Sequence, residues 1–388
     1  MISLLAIIKA FSPEGSKPLS FRSSCKGTSV ALGVRLSVKT RIIISLCVCA
    51  SLAVLLISAS DHASIKFADG KLPDYIEFKI PPGWPKPPTD IFAKNKLSEQ
   101  GFQLGKKLFY DTRLSKDGSN ISCANCHQQF AAFATYDHDF SHGLNDQHTT
   151  RNAPALFNLA WMTNYHWDGG VNHIEVQPLS PITSATEMAE TLQNVLAKLR
   201  KDSVYPAMFK AAFGTTEINS QRMLKALAQF TGSIVSANSK YDKVLRGEAK
   251  FTYGEENGYA IFKANCASCH KEPLFTDNSL RNNGLAINEY LKDYGRMKIS
   301  GKPQDSLKFK VPSLRNVAVS FPYMHDGRFY SLGAVIDHYR KGIVAEQQTL
   351  DPLLNKKIDI TDRQKNELIY FLNTLTDTSI TKNSRYAR

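Results

Sequence analysis

Apolar residues recur along the chain with the spacing of amphipathic helices. In the first such segment, which begins near Leu97, the side chains of Phe102, Leu108 and Phe109 fall near one helix face. The same spacing predicts helices over 187–201, 219–236, 258–270, 332–340 and 361–375. No segment alternates apolar and polar residues for the length of a strand. The pattern therefore predicts an all-α fold with few or no strands.

One apolar run differs from these amphipathic segments. Residues 42–59 (IIISLCVCASLAVLLISA) are almost continuously apolar, follow Lys39 and Arg41, and end in small residues. A basic flank, an apolar centre and a small-residue exit are typical of an export signal. The run is also long enough to span a bilayer, so an uncleaved membrane anchor stays open. We predict that residues 1–60 are the leader of an exported, periplasmic protein, either soluble or anchored at its N-terminus.

A Cys-x-x-Cys-His motif occurs twice after this leader. On a helix the two thiols and the histidine share one face, so the thiols can bond a porphyrin while the imidazole ligates its iron. A zinc or redox Cys-x-x-Cys site needs no following histidine, and the repetition of the whole motif also argues against it. The sequence therefore predicts two covalently bound haem c groups. The attachment residues are Cys123, Cys126, Cys266 and Cys269, and the iron ligands are His127 and His270.

The positions of the two motifs predict the domain organisation. They lie 143 residues apart, and each follows an apolar helix. This predicts two cytochrome c-like domains, 96–237 and 238–380, although the similarity between the halves is too weak to do more than suggest a duplication. Five prolines between positions 81 and 88 exclude regular helix there, so residues 61–95 form a proline-rich N-terminal arm.

The net charge of +13 does not indicate a nucleic-acid partner. The chain has no arginine-rich helix and no surface that interleaves aromatic and basic residues, which are the usual features of nucleic-acid binding. A basic surface is either simply solvated or attracts an acidic partner protein, and the charge does not decide between these.

Between about Leu97 and Leu375 the chain resembles the bacterial dihaem cytochrome c peroxidase and MauG family. The matching segments occur in family order and are LGKKLFYDTRLS, SCANCH, RNAPALFNLAW, WDGG, LSPITSATEM, FTDNSLRNNGL, KVPSLRNVAVSFPYMHDGRF and LIYFLNTLTD. The resemblance implies an enzyme that reduces hydrogen peroxide at the haem on His127. The haem on His270 would transfer electrons. Family members are often homodimers, and a small redox protein or a protein substrate is the implied partner.

The resemblance also implies roles for residues near the first haem. Glu187 would be the general acid/base that moves a proton between the peroxide oxygens. Gln177 would hydrogen-bond the substrate oxygen, and Pro181, which has no N–H, would keep a protein ligand out of the site. Without the resemblance, Glu187 reads as a carboxylate near a helix N-terminus. Trp167, in WDGG, would carry electrons between the haems, or be a core tryptophan at the domain junction.

The sixth ligand of the second iron is less determined by the residues alone. Spacing leaves five candidates, which are Met297, Met324, His325, His338 and Tyr339. Aligned on His325-Asp326-Gly327, the resemblance selects Tyr339, where MauG has a tyrosine and ordinary peroxidases have a methionine; Met324 is then assigned to core packing. An anionic phenolate favours ferric and higher oxidation states of iron, whereas a thioether favours the ferrous state. Tyr339 therefore favours MauG-like chemistry.

The resemblance implies two further features. A calcium ion would lie between the haems, bound by Asn152 and by the backbone carbonyls of Ser320 and Pro322. His142 matches a loop histidine that blocks the first haem of some peroxidases until they are reduced. The alternative is that His142 is an ordinary histidine of a solvated loop.

The haem motifs and the family resemblance leave three candidate functions. The first is a MauG-like oxidoreductase in which the His270/Tyr339 haem shares the oxidising equivalents from peroxide. The second is a cytochrome c peroxidase that removes peroxide with electrons from a small redox protein. The third is an electron-transfer cytochrome without catalysis, against which Glu187, Gln177 and Pro181 argue together.

Overall fold

Helices form most of the regular structure in the computed structural model, which describes residues 73–116 and 120–388. The helices are α1 Glu99–Phe109, α2 Cys123–Cys126, α3 Leu179–Thr183, α4 Leu192–Lys201, α5 Tyr205–Phe213, α6 Ser220–Gly232, α7 Lys240–Leu245, α8 Tyr253–Asn265, α9 Met297–Ser300, α10 Leu332–Asp337, α11 Asp362–Asn373 and α12 Thr378–Thr381. Within these ranges the strands are one short antiparallel pair, β1 Leu280–Arg281 and β2 Phe309–Lys310, in which Leu280 lies opposite Lys310. The all-α prediction is confirmed.

Two helix starts differ from the sequence prediction, and two helices end earlier than predicted, α6 at Gly232 and α8 at Asn265. The helix predicted from 187 begins only at Leu192, because the Thr191 side chain accepts a hydrogen bond from the Asn194 N–H and caps it there. The helix predicted from 258 begins earlier, at Tyr253. There Thr252 and Glu255 form a capping box that periodicity alone does not reveal.

The same helix crossing is built twice. α1 crosses α6 at Gly105, where an added Cβ would lie 1.9 Å from the Ala226 carbonyl oxygen. α8 crosses α11 at Gly258, where an added Cβ would lie 1.9 Å from the carbonyl oxygen of Glu367. Each pair of helices therefore approaches to backbone contact, which only glycine permits.

A second structural unit also occurs twice. It spans residues 158–171, after α1, and residues 316–329, after α8. The hydroxyl of Tyr165 donates to the carbonyl oxygen of Leu159, and that of Tyr323 donates to the carbonyl oxygen of Val317. Each tyrosine also pairs with the residue six positions later in an isolated antiparallel bridge. The left-handed residues correspond as Asn158 and Asn316, His166 and Met324, and Gly169 and Gly327. Every counterpart lies 158 residues later, so the backbone carries the duplication that the sequence only suggested.

Buried hydrophobic side chains form two main clusters. One contains residues between 102 and 234 together with Ile380, and the other contains residues between 241 and 375. Ile380 belongs to the first cluster because α12 returns to it, and the Gln129 side chain donates to the Ile380 carbonyl oxygen over 2.9 Å. The division at 237/238 stays a prediction.

Four buried polar residues join the two repeated units. Asn158 accepts a hydrogen bond from the Ser236 N–H over 2.8 Å, and the Asn316 side chain donates to the Ser236 hydroxyl over 2.9 Å. The Asp377 N–H completes the set by donating to Asn316 over 2.7 Å. Because such groups are costly to bury unpaired, this network fixes the two halves to each other.

The predicted leader, residues 1–60, and residues 61–72 of the arm lie outside the described residues. From residue 73 to the start of α1 the arm contains no helix, and its Phe78 and Trp84 rings pack against Trp161. Among the described residues, no helix is both long and apolar enough to cross a membrane.

We predict that Gly258→Ala lowers the free energy of unfolding by about 1–3 kcal/mol, because the added methyl group forces α8 away from α11. Thermal unfolding of the holoprotein measures this. The matched control is Gly333→Ala in α10, where an added Cβ meets nothing nearer than the Ser331 hydroxyl at 3.8 Å. An equal effect of the two substitutions would contradict the close crossing.

Candidate haem sites

The first Cys-x-x-Cys-His motif forms a single helical turn followed by its histidine. Ser122 and Asn125 cap α2 reciprocally, with the Ser122 N–H donating to Asn125 over 2.9 Å. The Nδ1 atom of His127 lies 3.0 Å from the carbonyl oxygen of Phe133 and also bonds the carbonyl of Pro154. Burial lowers the pKa of His127 to about 4. The ring is therefore neutral with its proton on Nδ1, which leaves Nε2 as the metal-binding atom.

The second motif repeats this arrangement after α8. Nδ1 of His270 lies 3.1 Å from the carbonyl oxygens of both Phe275 and Pro312. Pro312 lies 158 residues after Pro154, so the two histidines have equivalent backbone partners. Burial lowers the pKa of His270 as well. Both imidazoles are thus oriented and held in the same tautomer before any metal binds.

The four motif cysteines are partly buried free thiols. Burial is the main cause that raises the pKa of Cys123 and of Cys266 to about 12. At neutral pH both groups are therefore protonated. Each pair of thiols is available beside its histidine for thioether attachment to a porphyrin.

A cavity of about 260 Å³ opens beside the second motif. Cys266, Cys269 and His270 lie in its wall, together with apolar side chains of α10 and α11. Lys310, Arg281 and Arg315 line it too, and burial lowers the pKa of the Lys310 ammonium group to about 8. An apolar pocket with two thiols, an imidazole and cationic side chains fits iron porphyrin, which carries two carboxylates.

The same cavity distinguishes between the five candidates for the sixth ligand of the second iron, because only some of them line its wall. Tyr339 and Met324 both line it, whereas Met297 lies in α9 and is not part of its wall. His325 also lines it but is stacked on Phe309, with ring centroids 3.7 Å apart. His338 points elsewhere, because its Nε2 atom bonds the carbonyl oxygen of Asn283 over 3.0 Å. Met324, which the sequence analysis assigns to core packing, accepts a hydrogen bond at its Sδ atom from the Asn283 side chain over 3.5 Å, and that assignment stays a prediction.

Burial raises the pKa of Tyr339 to about 12, and a hydrogen bond from the Asn283 side chain partly opposes this. The phenol is therefore neutral unless a cation lies close to it. Tyr339 lies just after α10, in a π-helical turn over His338–Gly342. Counted on in sequence from the repeated unit, the 158-residue offset pairs Tyr339 with Pro181 in α3. The role of Pro181 at the first haem stays a prediction.

The residues expected around the first haem lie on neighbouring segments. Glu187 is largely buried, accepts a hydrogen bond from Ser184, and lies close enough to raise the pKa of Cys123 and Cys126. Burial raises its own pKa. Because α4 begins five residues later, Glu187 is not a carboxylate in the first turn of a helix.

Gln177 lies next to His166, a residue that the sequence analysis did not select. The Nε2 atom of Gln177 lies 3.4 Å from Nε2 of His166, which is half-buried and has a φ of +65°. His166 also interacts electrostatically with His127 and is the counterpart of Met324 in the repeated unit. The signal that could have revealed it was the pairing of YHWDGG with YMHDGR.

Trp167 lies in the wall of the cavity beside the second motif and follows His166 along the chain. Its indole N–H donates to the carbonyl oxygen of Asn152 over 2.8 Å, and its own carbonyl oxygen accepts from the backbone N–H of Lys310 over 2.7 Å. One hydrogen bond therefore holds the ring and the other holds the backbone. Its role in electron transfer stays a prediction.

The three residues expected to bind calcium, Asn152, Ser320 and Pro322, line this same cavity. The side-chain amide of Asn152 donates to the Asp139 carbonyl oxygen over 3.2 Å, which fixes its orientation. Calcium binding itself stays a prediction.

Comparison with known proteins agrees with this geometry. Residues 99–250 match the family model described as di-haem cytochrome c peroxidase. The chain is 35% identical to the methylamine utilization protein MauG of Methylorubrum extorquens, over 77% of this chain and 83% of that protein. It is 34% identical to the cytochrome c551 peroxidase of Nitrosomonas europaea, over 61% and 71% of the two chains. A crystal structure of a MauG-like protein associated with microbial copper homeostasis superposes with a TM-score of 0.74 at 33% identity, over 80% of this chain and 99% of that one.

The two motifs, each with an oriented histidine, define a c-type cytochrome with two haem cofactors. The chain belongs to the dihaem cytochrome c peroxidase and MauG family, and it is a dihaem peroxidase-type enzyme.

We predict that the exported protein carries two haem groups by mass spectrometry, and that replacing both Cys266 and Cys269 with alanine leaves one. Two thioether bonds hold each haem, so removing both detaches only the second. Ser268→Ala, inside the same motif, is the control and should keep both haems. A double variant that still carries two haems would contradict the assignment.

Proposed function

We propose that this protein is a periplasmic, MauG-like oxidoreductase that reduces hydrogen peroxide at the His127 site. It shares the oxidising equivalents with the second site, where Tyr339 would bind the iron that His270 holds. The observation that carries this proposal is the phenol of Tyr339 in the wall of the cavity that also contains His270. Pro181, which the sequence offset pairs with Tyr339, has no side-chain ligand atom, so the proposal leaves the first site open to a small substrate.

At the first site, iron porphyrin supplies the two electrons with which hydrogen peroxide and two protons become two water molecules. The carboxylate of Glu187 accepts a proton from one peroxide oxygen and returns it to the other, which then leaves as water. The amide of Gln177 holds the substrate oxygen through a hydrogen bond. Pro181 offers no donor or ligand atom, so it keeps protein groups out of the space that peroxide enters.

At the second site, the phenol of Tyr339 favours oxidised iron. Bound iron would lie next to the phenol as a cation and would lower the pKa that burial raises. The hydrogen bond from Asn283 also favours the phenolate. An anionic oxygen ligand stabilises ferric and higher states over the ferrous state. This site therefore suits the storage of oxidising equivalents better than the entry of electrons. We infer that the enzyme oxidises a partner protein, with Trp167 on the route between the haems.

The periplasmic location rests on the export-type run at 42–59 and on the two Cys-x-x-Cys-His motifs. A weakly bound calcium ion at Asn152, Ser320 and Pro322 belongs to the same proposal, since carbonyl and amide oxygens are ligands that calcium accepts.

Stoichiometric hydrogen peroxide added to the fully ferric holoprotein tests the proposed function. We expect the absorption spectra of both haems to change without prior reduction. If nothing changes until one haem is reduced, the protein is a reductively activated cytochrome c peroxidase and the MauG-like proposal fails. If neither haem ever reacts, it is an electron-transfer cytochrome.

We predict that Glu187→Gln slows the reaction with peroxide by about 10²–10⁴-fold, because the amide cannot accept a proton. In the unsubstituted protein the rate should fall as the pH drops through the pKa of Glu187. Burial raises that pKa above 4.5, so this decline lies at higher pH than for a free glutamate. Stopped-flow absorption over a range of pH measures both effects.

The control is Glu175→Gln, a partly exposed carboxylate on the preceding segment, which should leave the rate and its pH profile unchanged. A Glu187→Gln variant with the original rate would exclude Glu187 as the proton acceptor.

We predict that Tyr339→His shortens the lifetime of the spectrum formed by peroxide at the second haem, because a neutral imidazole stabilises oxidised iron less than a phenolate does. Time-resolved absorption spectroscopy measures the lifetime. The exposed Tyr330 offers the control Tyr330→Phe, which should leave it unchanged. An unaltered spectrum and lifetime in the Tyr339 variant would count against ligation.

A further inference from the structure

A hairpin over residues 141–149 presents histidines on one face. His142 and His148 are directly opposite each other in an antiparallel bridge, so their side chains leave the hairpin on the same side. Asn145 and Asp146, at the turn, have φ values of +54° and +59°. Across these two left-handed residues the Gln147 N–H donates to the Leu144 carbonyl oxygen over 3.2 Å and closes the turn. The turn directs the Asp146 carboxylate back over His142.

The donor atoms of these three side chains lie close together. Nδ1 of His142 is 2.5 Å from Oδ1 of Asp146, and the rings of His142 and His148 have centroids 4.3 Å apart. One donor atom from each of the three residues lies within 4.8 Å of the others. The ring of His138 is 5.1 Å from that of His142. All four side chains are exposed, so an ion from solvent can reach them.

This donor set has the chemistry of a transition-metal site. Ligands bound about 2.0–2.2 Å from one ion lie at most about 4.4 Å apart, so small rotations of exposed side chains bring these atoms into range. Imidazole nitrogens suit Cu²⁺ and Zn²⁺, whereas Ca²⁺ and Mg²⁺ prefer oxygen ligands. For a given site of this type, Cu²⁺ is bound more tightly than Zn²⁺. We propose that His142, Asp146 and His148 form a surface site for a divalent transition-metal ion, with preference for Cu²⁺ and with His138 as a fourth ligand.

The hairpin also contacts the segment that carries Glu187. The Leu144 N–H donates to the Glu187 carbonyl oxygen over 2.8 Å. Gly143 packs so closely that an added Cβ would lie 2.0 Å from the carbonyl oxygen of Thr186. An ion bound on the outer face of the hairpin therefore stiffens a loop that borders the first site, and it holds His142 away from that site. The metal site stands whether or not Glu187 moves protons as proposed.

Titration of the holoprotein with CuCl₂, followed by electron paramagnetic resonance, tests this site. We expect one equivalent of Cu²⁺ with hyperfine splitting from imidazole nitrogens, and isothermal titration with ZnCl₂ should give weaker binding. His142→Gln and His148→Gln should each weaken Cu²⁺ binding by at least about tenfold, the scale of a lost metal-site contact. Asp146→Asn should also weaken it, since asparagine keeps the left-handed turn but loses the charge.

The matched control is His173→Gln, which removes an exposed histidine outside the cluster and should not alter Cu²⁺ binding. Hydrogen exchange of residues 141–149 should slow when Cu²⁺ is bound. An unchanged haem absorption spectrum confirms that each variant is folded. Cu²⁺ affinity equal to that of the unsubstituted protein in the His142 and His148 variants would overturn the site. Tighter Zn²⁺ than Cu²⁺ binding would overturn the stated preference.

Discussion

Hydrogen bonds from Nδ1 of His127 and His270 to backbone carbonyl oxygens orient the two imidazoles on which the rest of the structure depends. Each histidine follows a Cys-x-x-Cys turn, and the bond fixes both its direction and its tautomer. The glycine-mediated helix crossings place the two motifs in equivalent frames. Outside this frame the halves differ, since among the described residues β1 and β2 lie only in the second half.

The proposed difference between the two sites rests on a few side chains. The sequence offset pairs Pro181 with Tyr339, as the repeated unit pairs His166 with Met324. Under the proposal, the proline leaves room for a small molecule whose protons Glu187 moves, whereas the phenol binds the second iron and favours its oxidised states. Trp167 is held by hydrogen bonds at its indole and its backbone, in the wall of the cavity beside the second motif.

Much of this was predictable from the sequence, since helix periodicity and the two Cys-x-x-Cys-His motifs are local signals. The helical fold, the haem cofactors and the family are confirmed, whereas the individual haem residues stay predictions. The late start of α4 was not predictable from apolar spacing, because it depends on a hydrogen bond from Asn194 to Thr191. The duplication was visible only in short matches such as YHWDGG and YMHDGR, because residue types differ at some positions that share a left-handed backbone, such as His166 and Met324. The position of Met324 in the cavity beside the second motif depends on the path of residues 316–329 through the fold, which no local sequence pattern encodes.

The proposed function requires the two haem irons to differ in their sixth coordination position, which is open at the first iron and occupied by Tyr339 at the second. A crystal structure of the ferric holoprotein tests it most directly. The account predicts the Tyr339 oxygen as the ligand opposite His270 and no protein side chain bound opposite His127. Ligation of the second iron by the Met324 sulfur, or a side chain such as His142 or His166 bound to the first iron, would contradict it.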